Sequence, residues 1–412
     1  MHKDGEEEMK DQELLGLNGD EAAALAAKQV NPDVVAAYPI TPQTIIVERF
    51  SEYVANGEVD TEFVAVESEH SALSTCVGAS AAGARAFTAT AANGLALMWE
   101  ITYIASGLRL PIVMAVANRA LSGPLNIHND HGDSMGTRDS GWIQVYCENG
   151  QEVYDACITA WRIAEHPLVQ LPIMVCLDGF TLSHTMENVH ILQDDIVKKF
   201  VGERKFITVT GHAGETELRL NPEVPLTMGP VDLQDYYFEH KIQQVEAMEQ
   251  ALKIMPIVES EYAEISGRRY DLVEPYRMED AEVALLGLGS TMGTVRYVVD
   301  QLRSEGVKAG MIKMRVFRPF PEEALMKALG DCPVLGVLDK AVSFGAPGGP
   351  LYSDVKTVFY GETEAPQIVD FIYGLGGRDA SPMLLRGIYD TMLQVHRTSK
   401  VVDKVSYVGV RE

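Results

Sequence analysis

The chain lacks the signatures of several broad classes of protein. Its five cysteines, Cys76, Cys147, Cys157, Cys176 and Cys332, form no Cys-x-x-Cys pair and fall singly, several of them inside apolar strand or helix patterns. Reduced, buried thiols fit that scatter better than disulfides or a metal knot, and no metal or iron–sulfur cluster is expected in this chain. No apolar run approaches the roughly 18 residues that crossing a bilayer requires, and the opening MHKDGEEEMKDQE has no signal-peptide core. A cytoplasmic protein without a membrane partner is expected. Basic charge is also scarce: a formal net charge of −25 repels nucleic acid and anionic lipid alike, so neither is an expected partner. The sequence contains no G-x-S-x-G elbow, no solenoid repeat and no low-complexity tract.

What the sequence has is apolar content, 46% over 412 residues, enough for about two or three domains with real cores. Residues 1–16 read as a flexible, charged start. LNGDEAAALAAKQVNP predicts a helix capped at Asn18 and stopped by Asn31-Pro32. Short β-rich runs (VVAAYPI, EFVAV, ARAFTAT, PIVMAVA, WIQVYCE, VQLPIMVCLDG) then alternate with helical patterns up to about residue 190. That alternation means an α/β fold: a doubly wound parallel sheet with helices on both faces. Residues 191–279 read as a connector with one long helix, and 280–412 as a smaller α/β domain in which VKAGMIKMRVFRP is one strand.

Several motifs invite chemistry. GLGSTMG, Gly287 to Gly293, joins a strand to a helix, but its glycine spacing is wrong for a dinucleotide and close packing is the better reading. Ser183-His184, near Asp178, is read as extended, so the two side chains should point apart and serve in capping. The polar loop from Asn126 to Gly141 is long enough for a lid, with Asn126, Asp130 and His131 as its contacts. His128, Asp130, His131 and Asp133 match no defensible metal spacing.

The strand ends say more. In VESEHSA, Glu67 and Glu69 end a strand and open an uncharged helix. A carboxylate facing a cleft and plain capping by Ser68 explain this equally well. In AAYPITPQT, Thr41-Pro42 reads as N-cap and first helical residue. Arg119 follows another strand and Asn93 a third. Thr41, Glu69, Asn93 and Arg119 therefore share the carboxyl rim where open α/β sheets bind ligands.

YPITPQT, VESEHSALSTCVGASAAGAR, NIHNDHGDSM with RDSGW, DGFTLSH and DFIYGLGGRD occur in an order that resembles the alpha subunit of 2-oxoacid:ferredoxin oxidoreductases, closest to the pyruvate type. The resemblance implies a pyrimidine-type thiamine-diphosphate domain at 17–190 and a transketolase C-terminal-like domain at 280–412. It implies thiamine diphosphate shared with a beta subunit, coenzyme A as co-substrate, and Mg2+ and iron–sulfur clusters in partner subunits. Those partners are the beta subunit, gamma and ferredoxin-like delta subunits, and ferredoxin. Glu69 matches the family's glutamate that bonds the aminopyrimidine ring and favours its proton-accepting tautomer. Thr41 and Arg119 match residues that contact the 2-oxoacid, and Pro39 and Asn93 fall beside the cofactor. Where the family often has Ser-Gln-Gly this chain has Ala92-Asn93-Gly94, which changes the polarity of the pocket. Other 2-oxoacids (2-oxoisovalerate, 2-oxoglutarate, oxalate), a non-redox thiamine-diphosphate enzyme and a scaffold that has lost catalysis are the competing readings.

Overall fold

In a computed structural model, residues 12–211 and 214–411 are described. Most of the N-terminal segment expected to be flexible lies outside them. Its last residues are ordered, however: Glu13–Leu17 pairs antiparallel with Glu187–Ile191, so the expected boundary at 16/17 falls inside a strand.

The first sheet has seven strands, in the order Val316–Arg318, Ile143–Tyr146, Ile173–Asp178, Val113–Asn118, Ala86–Thr90, Val34–Ala37 and Glu62–Ala65. All pairings are parallel except that of the Val316–Arg318 edge. The central strands Ala86–Thr90, Val113–Asn118 and Ile173–Asp178 are buried throughout, as strands covered on both faces must be. On one face Val113, Ala115 and Ala117 meet the helices Gly19–Val30 and Gly150–Ala164. The first of these is alanine-rich, so its backbone can approach closely. Its ends are those the sequence predicts, with a capping box between Asn18 and Glu21 and a left-handed Asn31 at the C-terminus.

On the other face, Met114, Val116 and Cys176 belong to one buried cluster with Leu286, Met314 and Val337 of a second sheet. That sheet runs Val273–Tyr276, Ala309–Met314, Val283–Gly287, Val334–Asp339, Gln367–Ile372 and Val405–Tyr407, antiparallel only at its first edge. Two expectations need correcting. Val273–Tyr276, placed in the connector, is a strand of the second sheet. VKAGMIKMRVFRP is two strands rather than one: the chain breaks at Arg315, whose fully buried guanidinium pairs with Glu259 at 2.7 Å, and Val316–Arg318 then crosses to the first sheet. The connector also carries the helix Asp194–Val201 and the 30-residue helix Tyr237–Ser266. All five cysteines are buried and free. Among the described residues no helix is long and apolar enough to cross a membrane.

Candidate active site

The carboxyl ends of the first sheet's strands converge on one rim, and its side chains can be built up in turn. Strand Glu62–Ala65 leads through Ser68 into the helix Glu69–Ala81. Ser68 caps it, accepting from the Ser71 N–H at 3.2 Å. The two carboxylates of the motif separate: Glu67 is exposed, whereas Glu69 is 7% exposed. No described residue donates a hydrogen bond to Glu69. The side chain is largely buried, yet no described residue occupies its carboxylate, which leaves that group available to a ligand.

Beside it, strand Ala86–Thr90 turns into the short helix Ala92–Leu97. Thr90 Oγ1 is buried and also lacks a partner. A Cβ placed on Gly94 would lie 2.5 Å from Thr90 Oγ1 and 2.7 Å from Glu69 Oε1, so the missing side chain leaves a cradle over the carboxylate. The Asn93 amide oxygen does not enter that cradle. It accepts from the Ser122 N–H at 3.0 Å and ties the next loop to the rim.

Arg119, 7% exposed, follows strand Val113–Asn118. Its Nε donates to Asn126 O at 3.0 Å and its Nη1 to Thr41 O at 2.8 Å. Nη2 has no partner among the described residues and is the donor left for an anion. The Tyr38–Gln43 turn corrects one expectation: Thr41 is not an N-cap. Thr41 is exposed in the turn, the Thr41-Pro42 bond is cis, and the helix Thr44–Ala55 starts after Gln43. Gln43 pins the turn instead, donating to Ala89 O at 2.7 Å and Tyr38 O at 3.1 Å. Pro39 is exposed on the same turn.

A residue that the sequence offers only as a metal-ligand type joins these groups. Asp133 Oδ2 accepts from Ala92 N at 2.9 Å and Arg119 N at 3.0 Å, while Oδ1 accepts from Asn118 Nδ2 at 2.8 Å. One carboxylate thus braces the backbone on the Glu69 side and on the Arg119 side. Burial lifts its pKa to about 6 despite the bonds from Asn118, Arg119, Ala92 and Ser134. Only the length and polarity of the loop could have signalled it.

The three residues expected as lid contacts in the loop from Asn126 to Gly141 bond within the chain. Asn126 donates to Gly376 O at 3.0 Å, Asp130 accepts from Gly376 N at 3.2 Å, and His131, 1% exposed, bonds Asp178 at 2.7 Å. The loop is an internal latch between the two sheets. Asp130, His131 and Asp133 each bond different partners within the chain. Ser183 and His184 also differ from expectation: they lie in a turn and bond at 2.7 Å, Ser183 Oγ accepting from Phe180 N as well. The tight group Glu148, Glu152 and Glu274 surrounds the Lys313 ammonium, which supplies the positive charge there.

An unpartnered carboxylate in a glycine-floored cradle, with a buried arginine across the rim, is suited to a nitrogen heterocycle beside an anionic substrate. The residues therefore fit a thiamine-type cofactor. Fold and site together define an α/β protein of the thiamine-diphosphate-binding class. Residues 25–260 match the family model for pyruvate flavodoxin/ferredoxin oxidoreductase, thiamine-diphosphate-binding, and residues 281–385 match that for pyruvate:ferredoxin oxidoreductase core domain II. Pyruvate synthase subunit PorA of Thermotoga maritima is 54% identical over 97% of this chain and 99% of its own length. Ketoisovalerate oxidoreductase subunit VorA of Pyrococcus horikoshii is 42% identical over 96% of this chain and 98% of its own. A solved 2-oxoglutarate:ferredoxin oxidoreductase from Magnetococcus marinus, with 2-oxoglutarate, coenzyme A and succinyl-CoA bound, superposes with a TM-score of 0.74 at 20% identity. It covers 93% of this chain and 66% of that one. The chain belongs to the pyruvate:ferredoxin oxidoreductase family, as an alpha-type subunit.

Proposed function

We propose that this chain is the alpha subunit of a pyruvate synthase, also called pyruvate:ferredoxin oxidoreductase. The complex carries out coenzyme A-dependent oxidative decarboxylation of pyruvate and passes electrons to ferredoxin. The observation that carries this reading is Glu69, a largely buried side chain whose carboxylate no described residue bonds, at the carboxyl rim of the first sheet in a chain 44–54% identical to PorA subunits. In this reading residues 13–190 form the pyrimidine-type domain, 191–272 the connector, and 273–411 the transketolase C-terminal-like domain, whose Val316–Arg318 segment joins the first sheet.

Bound thiamine diphosphate supplies the carbon nucleophile and electron sink that decarboxylation of a 2-oxoacid needs. This chain's residues bind and orient. Glu69 would hold the ring nitrogen of the aminopyrimidine, its carboxylate serving as the proton acceptor there. Asn93 and Pro39 wall the same side, Asn93 by holding the Ser122 loop. Arg119 directs Nη2 at the substrate carboxylate, and its other bonds, to Thr41 O and Asn126 O, fix the guanidinium plane. The exposed Thr41 hydroxyl would serve the substrate's oxo group. Asp133 keeps both sides in register.

Mg2+ for the diphosphate and the iron–sulfur clusters belong to partners: a beta subunit that completes the site, gamma and ferredoxin-like delta subunits, and ferredoxin. Coenzyme A is the acyl acceptor, and the complex works in the cytoplasm. The VorA relatives favour one second reading, the same chemistry on 2-oxoisovalerate. Turnover of a panel of 2-oxoacids by the purified complex decides between them. Pyruvate should give the highest kcat/KM, and a strong preference for 2-oxoisovalerate would overturn the pyruvate assignment.

A further inference from the structure

Asp178 ends the apolar strand Ile173–Asp178 next to the strand that delivers Arg119, and it is 1% exposed. Its partners come from three other segments. Oδ2 accepts from the Ser290 N–H at 3.2 Å, from the Ser290 hydroxyl, and from the Lys340 ammonium at 3.1 Å. Oδ1 meets His131 Nε2 at 2.7 Å. Burial opposes ionisation of Asp178, but Lys340, His131 and the Ser290 bond outweigh it and hold the carboxyl well below the usual range.

Ser290 belongs to GLGSTMG, the glycine-rich turn that resembles an anion cradle. The turn is filled from inside the protein. No side chain of the helix Thr291–Ser304 caps its own start, and the Asp178 carboxylate, from the other sheet, sits there instead. Gly289, at φ +69°, is required on two grounds. Its backbone lies in the left-handed region, and a Cβ would stand 3.2 Å from Asp178 Oδ2 and 3.4 Å from His131 Nε2.

From Asp178 the contacts continue to the rim. His131 is held at its ring by Asp178 and at its N–H by Lys340 O, 2.8 Å away. It immediately precedes the short helix Gly132–Gly136, which carries Asp133. Asp133 in turn fixes the backbone N–H groups of Ala92 and Arg119.

We propose that Asp178, clamped by Ser290 and Lys340 of the second sheet's domain, is a positioning residue for substrate binding. It sets the His131–Asp133 segment and through it the position of Arg119. The second domain then does more than complete a core. It supplies the cation and the helix end that hold the substrate-side rim in its binding geometry. The kinetic part of the proposal rests on the 2-oxoacid reading given above, whereas its structural part does not.

The test uses the purified complex carrying Ser290→Ala, Lys340→Met, or the double variant Asp178→Asn/Lys340→Met, which removes both buried charges together and so guards against misfolding from an orphaned ion. Lys340→Arg serves as the charge-preserving control. The KM for the 2-oxoacid should rise about two- to thirtyfold in Ser290→Ala and Lys340→Met, the range expected for coupling through a packed network, with kcat much less affected. It should return toward wild type in Lys340→Arg. Hydrogen–deuterium exchange should accelerate across residues 118–136 as well as at the clamp. Faster exchange confined to 288–292 and 338–342, with KM unchanged, would reduce the network to a domain contact and overturn the proposal. So would a fall in kcat alone. A wild-type complex that turns over no 2-oxoacid would refute the functional reading instead, and the exchange pattern would then decide the positioning claim by itself.

Discussion

Arg119 donates from Nη1 to the main-chain carbonyl oxygen of Thr41 across 2.8 Å, joining two strand ends that lie 78 residues apart in the chain. The bond uses one arm of the guanidinium and Asn126 uses Nε, so Nη2 is the arm that no described residue occupies. This division of labour needs a planar fork, which lysine lacks.

Arg119→Lys should therefore raise the KM for the 2-oxoacid by about tenfold or more, since a lost charge-assisted hydrogen bond is worth about 1.5–3 kcal/mol. Steady-state kinetics on the assembled complex measures this. A KM within twofold of wild type would remove Arg119 from substrate recognition.

Glu69→Gln keeps the size of the side chain but cannot accept a proton. Turnover should fall by about 10²–10⁴, the usual contribution of a positioned acid–base group, while assembly is retained. Size-exclusion chromatography alongside the assay separates the two effects, and unchanged kcat would show that the carboxylate takes no part in proton transfer.

Gly94→Ala should abolish most activity without unfolding the chain. The new Cβ would sit 2.5 Å from Thr90 Oγ1 and 2.7 Å from Glu69 Oε1, so the carboxylate must leave its place. The overpacking costs about 1–3 kcal/mol, small enough for the fold to survive. Circular dichroism and binding of thiamine diphosphate by calorimetry are the checks. Wild-type binding would contradict the cradle.

A pH effect should arise within the second sheet. Asp339 and Asp370 are neighbouring buried carboxylates. Burial, then repulsion from Asp370, lifts Asp339 to about 8, and burial lifts Asp370 to about 6. Both pKa values are raised on folding, so the pair favours the folded state most below the unfolded value of about 3.9. That contribution is lost as pH climbs through about 6 and then about 8. Asp339→Asn removes the like-charge partner. Its melting temperature should vary less than wild type between pH 6 and pH 8, and parallel profiles would show that the pair does not share a proton.

Much of the fold was legible because local chemistry and long-range packing agree. The Asn18–Glu21 capping box and the left-handed Asn31 bound the first helix where the sequence places it. The fully apolar runs around Val113 and Ile173 mark strands covered on both faces. Where the two disagreed, tertiary contacts prevailed. Arg315 breaks an apparently single strand because its buried charge must meet Glu259. The turn around Ser183 is set by Phe180 rather than by its own extended pattern.

The candidate site divides in the same way. The sequence alone determines which groups stand at the strand ends: a carboxylate at 69, a guanidinium at 119 and a hydroxyl at 41. Each stands at the end of a strand whose pattern is local and periodic. Only the folded chain decides that Asp133 braces two of those ends and that Asp178 fills the GLGSTMG turn. These are pairings of single buried polar groups across 14 to 112 residues. No periodicity encodes them, because a buried carboxylate is defined by the donors that converge on it in space.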